Sequence, residues 1–203
     1  MSKIKLPHAS GNSMSIAAPA TNPSGDLTLT LPVNIGADKK ILAVNGSGNL
    51  EFVYPTGYGL FMAKKTTTTQ TLSHNTHTII QYDSEDIDTQ GWYDTSTYKY
   101  TPQVAGWYQI YASHYSYNYA TQGVEVSTNI MKNGSSVAYG FIGHDNYGGG
   151  AQVQVSAIIQ LNGSSDYVQG NAYQYNSGSS NDNIHGSATN RNVYFYGYLV
   201  EPT

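Results

Sequence analysis

The sequence predicts an all-β fold, and three observations carry that reading. Tyrosine is unusually frequent, at 19 of 203 residues, and aromatic and β-branched side chains suit a pleated, half-buried surface. Runs with an apolar residue at every second position recur along the chain, whereas no stretch sustains apolar residues at helical spacing. Glycine, at 21 residues, falls between those runs in turn pairs such as Asn45-Gly46, Asn133-Gly134 and Asn162-Gly163.

Residues 1–57 differ in composition from the remainder, being rich in Ala, Pro, Ser and Asn. Between Ser10 and Gly25 the residues Gly11, Pro19, Pro23 and Gly25 punctuate the chain too often for regular structure. Leu27, Leu29 and Leu31 then alternate up to Pro32, which predicts one half-buried strand. Residues 40–44 and 49–53 face each other across Asn45-Gly46-Ser47-Gly48, and Asn-Gly supplies the positive φ angles of a hairpin turn. One strand and one hairpin bury too little to stand alone. Residues 1–57 are therefore expected to be a docking or stalk segment, ordered by copies of itself or by another protein, ahead of a domain at 58–203.

From Gly59 onward strands and turns alternate. Residues 60–63, 77–82, 106–119, 124–131, 137–142, 152–161, 167–175 and 192–200 read as strands, with turns at Asn133-Gly134-Ser135, Gly148-Gly149-Gly150 and Asn162-Gly163-Ser164. About eight short strands between turn signals suggest a sandwich or jelly roll. In 152–161, Val153, Val155, Ala157, Ile159 and Leu161 alternate with Gln152, Gln154, Ser156 and Gln160, so one face is buried and one is wet. Two other strands carry bulk on both faces. Tyr108, Ile110 and Ala112 oppose Trp107, Tyr111, Tyr115, Tyr117 and Tyr119, while Val193, Phe195 and Leu199 oppose Tyr194, Tyr196, Tyr198 and Val200. Tyrosine tolerates water through its phenolic tip. Two strands sharing the pattern while a third stays clean favours contact between copies of the chain.

Several functions are disfavoured. The net charge is −4 with nine basic residues and no basic run, whereas nucleic-acid binding needs a dense positive surface. The pairs Lys39-Lys40 and Lys64-Lys65 read as solvated loop charges. Cysteine is absent, which excludes disulfides and thiolate metal sites. The first residues have no apolar core of signal-peptide length, and no run approaches the roughly 20 apolar residues of a membrane span. Synthesis in a cytosol, with no membrane insertion, is expected. No nucleophile elbow, phosphate loop or cysteine nucleophile is present, so the chain is expected not to be an enzyme. Asn-Gly-Ser at 45, 133 and 162 reads as turns rather than as glycosylation acceptors.

Five segments in order, Leu60-Phe61-Met62-Ala63, Gly91-Trp92-Tyr93-Asp94 to Tyr98-Lys99-Tyr100, Pro102-Gln103-Val104-Ala105-Gly106-Trp107-Tyr108, Lys132-Asn133-Gly134 and Tyr194-Phe195-Tyr196-Gly197-Tyr198-Leu199, resemble the globular head domain of complement component one-q. That family is a relative of the tumour necrosis factor fold. Tyr98 stands at a family glycine, and Ser164-Ser165-Asp166 replaces the usual Gly-Asp. The resemblance implies a ten-stranded jelly roll that trimerises about a threefold axis, with an aromatic strand near that axis. Residues Ser15 to Pro19, Leu27 to Pro32 and Ile41 to Leu50 resemble a module of bacteriophage fibre and virion structural proteins. This implies a virion protein, a trimeric fibre or spike with a jelly-roll knob. A capsid decoration or head-fibre protein is the alternative, and a virion-associated carbohydrate-active enzyme a third.

Candidate sites follow. Trp107, Tyr111, Tyr115, Tyr117, Tyr194, Tyr196 and Tyr198 are the expected trimer interface. The loops around Tyr119, Asn146, Tyr147, Tyr173, Tyr175 and Asn176 have the Tyr, Ser, Gly and Asn palette of adaptable binding surfaces, with a host-surface glycan or protein as expected partner. Asp83, Glu85, Asp86 and Asp88 crowd carboxylates as calcium requires, but without the glycine and spacing of a calcium loop, and a solvated loop is the competing reading. No other cofactor is expected. His114, one per copy, offers a three-histidine set around an axis, with an ordinary hydrogen-bonded histidine as the alternative.

Overall fold

The computed structural model describes residues 3–7, 11, 13–17, 30–33, 39–45, 47, 49–67, 69–116, 124–144, 150–189 and 192–203. Among these there are strands and no helix. The chain divides into two compact units, 1–53 and 54–203.

In the smaller unit β1 (Lys3–Pro7) and β2 (Ser13–Ala17) pair antiparallel, with Ile4 opposite Ile16 and Leu6 opposite Met14. For residues 13–17 this corrects the expectation that 10–25 are too punctuated for regular structure, while 10, 12 and 18–25 lie outside the described residues. Gly11, at φ +99°, lies between two strands whose apolar residues occupy matched register positions. The expected hairpin is present as β3 (Ile41–Val44) and β4 (Leu50–Val53). Its turn is closed by Asn45, whose Oδ1 accepts the backbone N–H groups of Ser47 and Asn49 at 3.0 Å. Of the strand expected at 27–31, residues 27–29 lie outside the described residues, and Thr30 bridges Asn49 in parallel.

The larger unit begins with six short strands: β5 (Phe61–Lys64), β6 (Gln70–Leu72), β7 (Thr78–Ile79), β8 (Ser84–Asp88), β9 (Tyr93–Asp94) and β10 (Lys99–Tyr100). Longer ones follow: β11 (Ala105–Ser116), β12 (Val124–Lys132), β13 (Ser135–His144), β14 (Ala151–Asn162) and β15 (Val168–Tyr175). The short β16 (Asp182–Ile184) and then β17 (Tyr194–Pro202) complete it. They form a seven-stranded sheet containing β14–β11–β17–β5–β8, with β16 and β6 beyond the end of β11. A six-stranded sheet runs β13–β12–β15–β10–β9, with β7 also on β15.

The two sheets enclose a core dominated by rings. Phe61 stacks on Tyr100 at 4.0 Å and meets Phe195 edge-on at 4.9 Å, and Tyr82 stacks on Phe195 at 5.3 Å. Four tyrosines are buried there, and each hydroxyl donates to a backbone carbonyl. Tyr82 donates to Ser113, Tyr93 to Tyr82, Tyr100 to Gly59 and Tyr108 to Val104, at 2.7–3.0 Å. Buried polar groups must be so paired to be tolerated.

The strand expected at 77–82 contracts to Thr78–Ile79 because Ile80 and Tyr82 turn into the core. The acidic segment, read as a loop, is the edge strand β8 paired with β5. Lys64-Lys65, read as solvated loop charges, are also corrected. Lys64 Nζ lies 2.7 Å from the Asp86 carboxylate. Lys65 is buried, its backbone N–H donating to Val193 and its Nζ to Thr67 Oγ1. Burial pulls the Lys65 ammonium below the usual lysine range, against the pull of nearby Asp83.

Candidate interaction surface

Strand periodicity sets which rings leave the core. On β11, Tyr108, Ile110 and Ala112 are buried, so Trp107, Gln109 and Tyr111 lie on the other face of the sheet, while toward its end Ser113 and His114 are both buried. On β17, Phe195 and Leu199 are buried, as is Val193 just before it, and Tyr194, Tyr196 and Tyr198 lie opposite them. Pairing then aligns the outer residues into a band across five strands, Ser156, Tyr111, Tyr196, Met62 and Ile87. Above it Ile158, Gln109 and Tyr198 form a parallel row.

Tyr111, Tyr194 and Tyr196 cluster with nearly parallel planes, the Tyr111 centroid lying 4.9 and 5.0 Å from the other two and those two 6.2 Å from each other. Its hydroxyl donates to Gln154 Oε1 at 2.5 Å. This stacking leaves the three rings half-buried, while Trp107 stays 41% exposed and Ile158 56% exposed. Burial and then the neighbouring Tyr194 raise the Tyr111 phenol, and burial with Tyr194 and Tyr198 raises that of Tyr196. The band is thus neutral. Tyr115 takes a different place, packed against the core and under Gly150. Tyr117 lies outside the described residues. Ile158 interrupts an otherwise polar row of Gln and Ser, so alternation alone does not mark it as a surface residue.

The strands bounding the candidate binding loops end at one pole, where Ser116 pairs with both Ala151 and Ile184, and Glu125 with Tyr175. The other pole holds both ends of this unit. Thr56 Oγ1 and Gly57 N donate to Val200 and Leu199 carbonyls, and Thr203 N donates to Ala105. Tyr119, Asn146 and Tyr147 lie outside the described residues. Tyr173 and Tyr175 sit on the open face of the six-stranded sheet, with Tyr175 45% exposed. Asn176 is buried instead. Its Nδ2 donates to the Gln174 side chain and the Ser180 carbonyl, and its Oδ1 accepts from Ser180, so its amide shapes the turn.

The four acidic residues serve separate partners. Asp83 accepts from Thr66 and Thr67, Asp86 pairs with Lys64, and Asp88 accepts the backbone N–H groups of Gln90, Gly91 and Tyr93. Burial would raise the Asp83 carboxyl, but its hydrogen bonds hold it below the usual range. Glu85 is raised by burial and by Asp88 and Asp94. Among the described residues no group of three or more metal-ligating side chains converges. The three-histidine set is corrected, because His114 lies inside the sandwich at 0% exposure, on the core face of β11. Its Nδ1 is 2.7 Å from Thr128 Oγ1.

Two antiparallel sheets wound in this order define a jelly-roll sandwich. The chain is similar to the globular domain of zebrafish complement 1qA protein, at 13% identity and a TM-score of 0.50, over 71% of this chain and 99% of that one. It is also similar to Eiger TNF from S. frugiperda, at 10% identity and a TM-score of 0.51, over 70% and 90% of the two chains. The likeness at these identities is one of fold. No protein-family model and no curated protein matches the chain.

Proposed function

We propose that this chain is a non-enzymatic virion structural protein of a bacteriophage. In this reading it is a trimeric fibre or spike whose jelly-roll knob attaches to the host surface. The observation that carries it is the neutral band of rings on the seven-stranded sheet, centred on stacked Tyr111, Tyr194 and Tyr196. A contiguous apolar patch of this kind marks an interface, and in a closed ring each copy meets the next through the same pair of surfaces. The shared fold with the complement 1qA domain and Eiger TNF supports the same assembly. Residues 1–57 are the docking or stalk segment, by their likeness to phage virion modules, and meet another virion protein. The strands that bound the candidate loops end at the pole away from both ends of the larger unit, which suits a distal tip. Three copies at the tip would convert weak single contacts into useful attachment.

Sedimentation equilibrium of the full chain tests the assembly. A trimer is expected, with Tyr196→Arg reducing it to single chains. A well-folded monomer at high concentration overturns it. Microscopy of virions carrying a tag after Thr203 tests the location, and labelled fibre or spike density is expected.

A further inference from the structure

We propose that the open face of the six-stranded sheet is a binding trough for a neutral oligosaccharide, an inference that rests on the attachment reading above and gives it a place. Antiparallel register puts Phe141, Ser127 and Tyr173 in one row across β13, β12 and β15, and Tyr139, Asn129 and Asn171 in the next. Their neighbours Ala138, Ile130, Val168 and Ala172 pack in the core, so these six residues face outward.

The two sides of the trough are rings. Tyr139 and Phe141 are 66% and 64% exposed, with centroids 6.2 Å apart. Across from them His77 lies over Tyr173 at 4.9 Å and His74 over Tyr175 at 5.2 Å. Two strand spacings separate the sides by about 10 Å. The floor between them is small and polar: Ser127, Asn129 and Asn171, all nearly buried. Asn129 is held by long bonds, donating to Ser127 Oγ and accepting from Ser136 Oγ, each at 3.3 Å. His77 Nδ1 lies 2.9 Å from Asn171 Oδ1.

The chemistry of this face selects its occupant. Among the described residues Glu125, at one end, is the only Asp, Glu, Lys or Arg of these three strands on this face, since Lys132 is drawn to Gln160 and Asp166. Such a surface sets no lysine or arginine among its described residues to attract an anionic chain. A wholly apolar partner would leave the polar atoms of the floor beneath it with no bonds beyond the long ones they have, which is costly. A sugar chain matches both parts, with its C–H faces on the rings and its hydroxyls over the amides and Ser127. The site is also set in advance. Tyr173 Oη donates to Asn75 Oδ1 at 2.9 Å, and Asn75 N bonds the Gln174 carbonyl, so the 73–77 turn clamps the ring.

Saturation-transfer NMR and titration calorimetry of the full chain test this with short oligosaccharides of glucose, galactose and N-acetylglucosamine, and a sulfated galactan as the anionic control. At least one neutral member is expected to bind, more tightly than the sulfated chain and with little salt dependence. Tyr139→Ala and Tyr173→Ala are each expected to weaken binding about tenfold or more. Tyr173→Phe, which keeps the ring but loses its bond to Asn75, is expected to weaken binding less than Tyr173→Ala, and Gln103→Ala, on an exposed loop elsewhere, to bind as wild type. Binding by none of the neutral panel, binding by the sulfated chain alone, or a change of sedimenting mass in Tyr139→Ala in place of lost affinity overturns the trough. Adhesion to host cells that survives both alanine variants sinks the trough and leaves the attachment reading standing. A wild-type chain that adheres to no cell sinks both.

Discussion

His114 shows how a single buried group sets a pH limit. Thr128 donates its only hydroxyl proton to the Val153 carbonyl at 2.8 Å, so toward His114 it can only accept. That fixes the Nδ1–H tautomer and leaves Nε2 as a bare lone pair, without a partner among the described residues. A second proton would put charge there with nothing to receive it, and burial pushes the pKa down to about 3. The unfolded chain takes that proton near the ordinary value of about 6.5. Between those values the unfolded state binds more protons, so stability falls as pH drops, by about 1.4 kcal/mol per unit at most. Urea midpoints at pH 7 and pH 5 are expected to diverge more for the wild type than for His114→Gln. The buried tyrosines set the opposite limit. Burial raises the phenols of Tyr82, Tyr93, Tyr100 and Tyr108 above the ordinary value. The unfolded chain ionises first, near about pH 10, so stability falls as pH rises past that point. In an alkaline titration, tyrosinate absorbance from these four is expected to appear together with loss of folded circular dichroism, not ahead of it.

At the scale of strands and turns, the sequence was legible wherever a local rule decides. Asn133 and Gly134 adopt φ 51° and 81°, the two left-handed residues that a tight hairpin requires. The alternation in β14 and β17 matches their burial nearly residue for residue. Strands of two to five residues, β6, β8, β9, β10 and β16, were not legible, because so few residues show no period and their pairing depends on distant partners. Tyr98 illustrates a departure with a cost. It sits at φ 58°, where a side chain is strained and glycine would not be. Gly197 is the reverse case, where the missing side chain is the point. A Cβ there would meet Ile110 Cδ1 at 2.6 Å and the Gln109 carbonyl oxygen at 2.9 Å. Since backbone cannot give way cheaply, Gly197→Ala is expected to cost about 1–3 kcal/mol, read as a lower urea midpoint at unchanged slope.

At the scale of the molecule, the sandwich was legible because both sheets bury an alternating face, and the outward tyrosines followed from the same count. The trough was not. Tyr139 and Phe141 belong to a strand that looked ordinary in isolation, and Ser127, Asn129 and Asn171 are distant in sequence from His77. Only strand pairing brings them to one surface. If the ring band on the other sheet joins copies, folding and assembly are linked by mass action. The melting temperature is then expected to rise with chain concentration, and to be concentration-independent for Tyr196→Arg.

The bonds from Thr56 and Gly57 to Val200 and Leu199 have an engineering consequence. The first and last residues of the larger unit run side by side, so a short linker could join them and the chain could be reopened at an exposed hairpin such as Asn133-Gly134 without reordering either sheet. A circular permutant of that kind would move its free ends to a new site, giving a handle for immobilising the jelly roll in a chosen orientation.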